Sequence, residues 1–192
     1  WTHWYNNIEY LASRFHVYAI DLPGLGDSEA LAPGYSAMDA VEAVSAGIQA
    51  LPELGPFHLV AFSWGCAVSS QIVKLHQDQL LSLLLVGPAS IGDIPRRGLM
   101  EPLIKRHSGM SQEQVFSANK ENLARLMIHQ RLRIDDMAVY IQTENTNRAR
   151  FNSPQFVRST LVLDGVRGMK APLKVIYGQN DAPGLPDIES KE

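Results

Sequence analysis

Phe57-His58-Leu59-Val60-Ala61-Phe62, then Ser63, then Trp64-Gly65-Cys66-Ala67-Val68-Ser69-Ser70-Gln71-Ile72-Val73 is the stretch that decides how this chain is read. The first six residues form a short apolar run of strand length. After Ser63, Val68, Ile72 and Leu75 recur at helical spacing. The centre is G-x-S-x-G with Ala61, a small residue, in place of the first glycine. A strand, a sharp turn and a helix lift a serine hydroxyl clear of a sheet edge, which points to nucleophilic hydrolytic chemistry. Such a serine needs a histidine base. None of the six histidines (His3, His16, His58, His76, His107, His129) lies where that base is expected.

Working outward, strand and helix alternate. Residues 15–20, Phe-His-Val-Tyr-Ala-Ile, predict a buried strand. Asp21-Leu22-Pro23-Gly24-Leu25-Gly26-Asp27-Ser28 follows as a Pro/Gly loop. Ser36-Ala37-Met38-Asp39 has the form of a capping box with Asp in place of Glu. Val41, Val44, Ile48 and Leu51 then predict an amphipathic helix stopped by Pro52. Residues 80–87, Leu-Leu-Ser-Leu-Leu-Leu-Val-Gly, predict a third strand buried on both faces, as parallel strands covered by helices are. This order is that of an α/β protein with a mostly parallel sheet flanked by helices.

From about residue 90 to 167 the pattern is helical, without a convincing strand. Ser111-Gln112-Glu113-Gln114 is a second capping box, and residues 120–130 and 134–148 predict further helices. Strand character returns at Leu173-Lys174-Val175-Ile176-Tyr177, followed by Gly178-Gln179-Asn180-Asp181. A helical insertion between sheet strands predicts a cap over the strand C-terminal ends, where ligands bind. The organisation expected is core 1–89, cap 90–167 and a second core piece 168–192.

The bulk properties narrow the function class. The chain has 192 residues, 45% hydrophobic and 19% charged, with a net charge of −3. That is enough for one domain with a sizeable core. No basic stripe or basic run suits nucleic acid, and no apolar run reaches the ~20 residues of a membrane span. The expected partner is a small-molecule substrate, with neither nucleic acid nor membrane. One cysteine excludes an internal disulfide and fits a reducing, cytoplasmic compartment. The chain opens on Trp1, without initiator Met or signal peptide, and reads as an internal fragment.

Three motifs now meet in one resemblance. Asp21 to Ser28 resembles a D-x-x-G-x-G-x-S loop, Ala61-Phe62-Ser63-Trp64-Gly65 a nucleophile elbow, and Pro172 to Asp181 the strand and loop that deliver a triad acid. In order and separation they resemble the α/β-hydrolase fold superfamily over nearly the whole chain. The stretches Leu126 to His129 and Arg148 to Phe151 are similar to those of capped esterases and carbon–carbon bond hydrolases. The resemblance implies an α/β-hydrolase fold with a helical cap, no cofactor and no metal. It implies Ser63 as nucleophile, Trp64 as an oxyanion donor through its backbone N–H, and Asp181 as the acid that orients the histidine. The histidine and the H-G loop of the second oxyanion donor are expected outside this chain. So is a central strand between residues 15–20 and 57–62. The chain alone is therefore expected to be inactive. The alternative is a non-catalytic protein of the same fold that binds a ligand or partner.

Other residues carry smaller claims. Asp93 is a second candidate acid. The Gly24-x-Gly26 pair lacks the third glycine of a dinucleotide site, so its expected work is a tight turn. His58 begins its strand at the end far from Ser63. Cys66 reads as a small packed residue, and the histidines show no metal-ligand spacing. Trp64 walls an acyl pocket or packs under the cap. Arg148 and Arg150 bind a carboxylate or lie solvated on a helix.

Overall fold

A computed structural model describes residues 1–52, 54–92 and 100–183. Three parallel strands lie in the order β1 (Phe57–Phe62), β2 (Leu80–Val86) and β3 (Leu173–Ile176). Leu59 pairs with Leu83 and Ala61 with Leu85, while Val86 pairs with Ile176. This register aligns the C-terminal ends of all three strands. Helix α1 (Tyr5–Ala12) leads the chain, and α2 (Ala37–Gln49) and α3 (Trp64–Leu75) flank β1 in sequence. The insertion holds α4 (Gln112–Leu126) and α5 (Asp136–Arg148), and α6 (Leu161–Val166) precedes β3.

Local signals set the helix starts. Ser36 Oγ accepts from the Asp39 N–H at 3.3 Å, and the Asp39 carboxylate accepts from the Ser36 N–H at 2.6 Å. Those bonds hold the Asp39 carboxyl below its usual range. Ser111 and Gln114 cap α4 in the same reciprocal way. Each box satisfies two N–H groups that a helix start otherwise leaves over.

The core forms where α3 lies on β1 and β2. Val41, Val68, Ile72, Leu83 and Leu85 are buried there, each such side chain contributing about 1.5–3 kcal/mol. Helix α6, though late in the helical insertion, belongs to this cluster. Gly165 lets it close on α3: a Cβ at that position would lie 2.5 Å from the Ser70 carbonyl carbon. Ser70 Oγ and Gln71 Nε2 donate to the Leu161 carbonyl at 3.1 and 2.6 Å. His76 is a core histidine, its Nε2 2.8 Å from Ser45 Oγ. Helices α4 and α5 have a smaller core of their own around Leu123, Ile134 and Val139.

Three expectations change. Residues 16–20 are not a ladder strand. Their backbone is extended, since the His16 and Tyr18 rings stack 4.6 Å apart on one side. A strand exists only through its neighbour's hydrogen bonds, and no described segment pairs with this one. Strand β2 is buried on one face: α3 covers Leu83 and Leu85, while Leu81 is 48% exposed and Val60 of β1 41%. The helices expected at 112 and at 120–130 are one continuous α4, because nothing between them breaks the backbone.

Candidate active site

Ser63 sits where β1 passes into α3. Its backbone has φ 53° and ψ −119°, one of two non-glycine residues with positive φ among the described residues. Such a conformation costs of order 1–3 kcal/mol and persists only where the surroundings over-determine it. They do so here. The Ser63 N–H donates to the Val86 carbonyl at 3.0 Å, and its own carbonyl accepts from Cys66 at 3.0 Å and Ala89 at 3.4 Å. The turn is thus tied to the end of β2 and to the helix it starts. Ala61 fits the first glycine's place because a Cβ built on Gly65 would stand 4.0 Å from its methyl, an ordinary contact.

Trp64 opens α3, so its N–H has no acceptor within the helix and stands at the positive end of the helix dipole. Its indole is 6% exposed and stacks on Phe151 and Phe156, with centroids at 5.4 and 5.1 Å. Tyr35 stacks on Phe151 at 4.8 Å. The Trp64 side chain therefore packs against the segment returning from α5. Cys66 is wholly buried, its thiol donating to the Val86 carbonyl at 3.5 Å, and burial pushes it up to about 12. A thiol protonated at any physiological pH is packing, not a nucleophile.

Asp181 follows β3. Its N–H donates to the Gly178 carbonyl at 3.0 Å, closing the turn that carries it. Oδ2 lies 3.2 Å from where a Cβ on Gly87 would be, and the Gly87 N–H donates to Ile176 at 2.8 Å. The carboxylate stands over the end of β2, beside the strand that ends in Ser63. Strand spacing puts ~5–10 Å between the two groups, the room taken by an imidazole hydrogen-bonded at both nitrogens. Among the described residues no histidine is hydrogen-bonded to Ser63. His58, at the other end of β1, has Nδ1 2.7 Å from Ser82 Oγ. His129 is exposed on the turn after α4. Asp93, the second candidate acid, lies outside the described residues.

The loop 21–28 works as a turn. A Cβ on Gly26, at φ 53°, would fall 2.3 Å from Asp21 Oδ2, so only glycine fits. Ser28 Oγ donates to the Asp21 carbonyl at 2.6 Å. Arg148 and Arg150 pin the end of α5 to this loop. Arg148 pairs with Asp27 at 2.8 Å and Glu144 at 3.3 Å, and Arg150 donates to the Gly26 and Ser28 carbonyls at 3.2 and 2.6 Å. Neither cation is spare for a substrate carboxylate.

Three residues were missed by sequence reasoning. His3 places its ring 5.7 Å from that of Phe62, the residue before Ser63, and burial lowers its imidazole below the ordinary value. Ser90, the other positive-φ residue, is fully buried and donates through Oγ to the Phe156 carbonyl at 3.0 Å. Asn145 of α5 accepts from Thr2 Oγ1 at 3.0 Å. No local pattern announces any of them. Among the described residues no group of three metal-ligating side chains comes together, and no helix is long and apolar enough to cross a membrane.

An elbow serine, a carboxylate two strands along and a helical insertion define a class of α/β hydrolytic site. The chain belongs to the α/β hydrolase fold family, whose profile it matches over residues 1–161. It is similar to the (E)-2-((N-methylformamido)methylene)succinate hydrolase of Acinetobacter baylyi, with 27% identity over 93% of this chain and 67% of that protein. It also resembles the pimeloyl-[acyl-carrier protein] methyl ester esterase of Aeromonas hydrophila, with 38% identity over 43% of this chain and 31% of that one. A mutant of the meta-cleavage product hydrolase CumD, from Pseudomonas fluorescens IP01, superposes with a TM-score of 0.69 at 16% identity, covering 93% of this chain and 67% of that one. The chain thus spans two thirds or less of the length of these proteins.

Proposed function

We propose that this chain carries the nucleophile and acid of a capped serine hydrolase. Its substrate is a small ester or a carbon–carbon bond substrate, cleaved through a Ser-His-Asp triad whose histidine lies outside these residues. The observation that carries the reading is Ser63, a non-glycine residue held at φ 53° between β1 and α3. An ester reacts in two steps. The Ser63 hydroxyl attacks the acyl carbon as the histidine takes its proton, and the Trp64 N–H stabilises the oxyanion. The histidine then protonates the leaving alcohol, and water releases the acyl group by the same route. Asp181 holds the imidazole in orientation and stabilises its cation. A methyl ester esterase among the similar proteins supports the ester branch.

The test is active-site labelling of the chain completed from its coding sequence. A fluorophosphonate should label Ser63 and spare Ser63→Ala, whose kcat should fall by roughly 10⁴–10⁶. Equal labelling of both proteins would remove Ser63 from the mechanism.

A further inference from the structure

Helix α5 crosses the start of the chain, and one polar atom at that crossing is left over. Asn145 Oδ1 accepts from Thr2 Oγ1 at 3.0 Å. Its Nδ2 is buried and has no hydrogen-bond partner among the described residues. A buried amide donor without an acceptor is rare and asks for a reason, since leaving it unmade forfeits its hydration. Thr2 adjoins His3, whose ring lies 5.7 Å from Phe62, and Phe62 precedes Ser63. Asn145 is therefore joined to the flank of the elbow through two contacts. It lies on the helix whose end is pinned to the 21–28 loop by Arg148.

We propose that Asn145 is a specificity-determining residue, its Nδ2 donating to an uncharged carbonyl oxygen on the acyl side of the substrate. The inference rests on Ser63 being the reacting centre. A neutral acceptor fits because no cation is spare nearby. Arg148 is engaged by Asp27 and Glu144, and Arg150 by backbone carbonyls. The Asp21 carboxylate is close enough to His3 to act on its proton, so a second anion there would be repelled. A site built to donate one hydrogen bond discriminates strongly against the analogue lacking the acceptor, because the donor is then buried unpaired.

Asn145→Asp isolates the donor. The Asp side chain is nearly isosteric and still accepts from Thr2, but a carboxylate oxygen replaces the N–H group. The ligands are acyl amides of six carbons bearing one oxo group at carbon 3, 4 or 5, each against unsubstituted hexanamide. Affinity is read by ligand-induced thermal shift on the chain completed from its coding sequence, so binding does not depend on turnover. At least one oxo amide should bind wild type about tenfold or more tightly than hexanamide. Ser63→Ala should keep that preference, and Asn145→Asp should erase it while binding hexanamide as before. No preference for any oxo amide in wild type, or a preference that survives in Asn145→Asp, overturns the proposal. Failure of the Ser63 reading shows separately, as fluorophosphonate labelling that Ser63→Ala does not abolish.

Discussion

The elbow and the α4–α5 pair are held together by different physics. Around Ser63 the backbone is strained and the packing dense: Cys66, Ala67 and Val68 are each 1% exposed or less. The α4–α5 pair buries Leu123, Ile134 and Val139 and otherwise relies on polar bonds and charge pairs, such as Asn119 Nδ2 donating to Thr143 at 2.9 Å. A strained nucleophile needs a frame that does not yield, because relaxation would withdraw its hydroxyl. A cover over a site needs freedom to move and to change its residues. Chemistry and substrate choice thus fall to regions of different stiffness within one chain.

The largest effect that would break this division is at Asp181. Asp181→Asn should cut turnover of the completed chain by about 10⁴, because the histidine loses its orienter, while the thermal unfolding midpoint stays near wild type. Full turnover in Asp181→Asn with loss in Asp93→Asn would transfer the role to Asp93.

Packing of the rigid half is probed at Gly165. Its added Cβ meets Ser70 backbone at 2.5 Å, and backbone does not swing aside as a side-chain tip does. Gly165→Ala should destabilise by about 1–3 kcal/mol, read from denaturant unfolding. A neutral result would mean that α6 slides on α3 without loss, and that the core is looser than its burial indicates.

Strain itself is tested by comparing two inactive proteins. Glycine adopts positive φ freely and alanine does not. Ser63→Gly should therefore be more stable than Ser63→Ala by about 1 kcal/mol, despite glycine's usual disadvantage. The reverse order would show that the turn carries no strain to release.

What could be read from the sequence follows the same line. Strands β1, β2 and β3, helices α2 and α3, and both capping boxes rest on signals within a few residues: apolar runs, helical spacing, and Ser followed three residues later by Asp or Gln. Ser63 was legible because an elbow is local. Its relation to Asp181 was legible only through motif order in a resembled family. Pairing of residues 15–20 was not legible, since it depends on a neighbour and not on composition. Nor were the engagements of Arg148 and Arg150, which reach carbonyls and a carboxylate more than a hundred residues earlier. Asn145 and Thr2 are 143 residues apart, and no periodicity connects them.

The smallest effect lies in the cap, at Glu121. Its carboxylate accepts from Arg131 at 2.6 and 3.0 Å and from Arg125 Nε at 2.9 Å. The bonds from Arg131, then those from Arg125, hold its carboxyl down to about 2, against an ordinary 4.5. The folded value lies below the unfolded one, so the fold favours the charged form. The stabilisation is fully present above about pH 4.5 and is lost as the pH falls toward about 2. Exposure to water and salt keeps it modest. Glu121→Gln should melt below wild type at pH 6. The gap should narrow between pH 4.5 and 2, and it should shrink when salt is raised at pH 6. Carboxylates common to both proteins cancel in that difference, so a gap constant across the range would assign the loss to packing of the side chain and not to its charge.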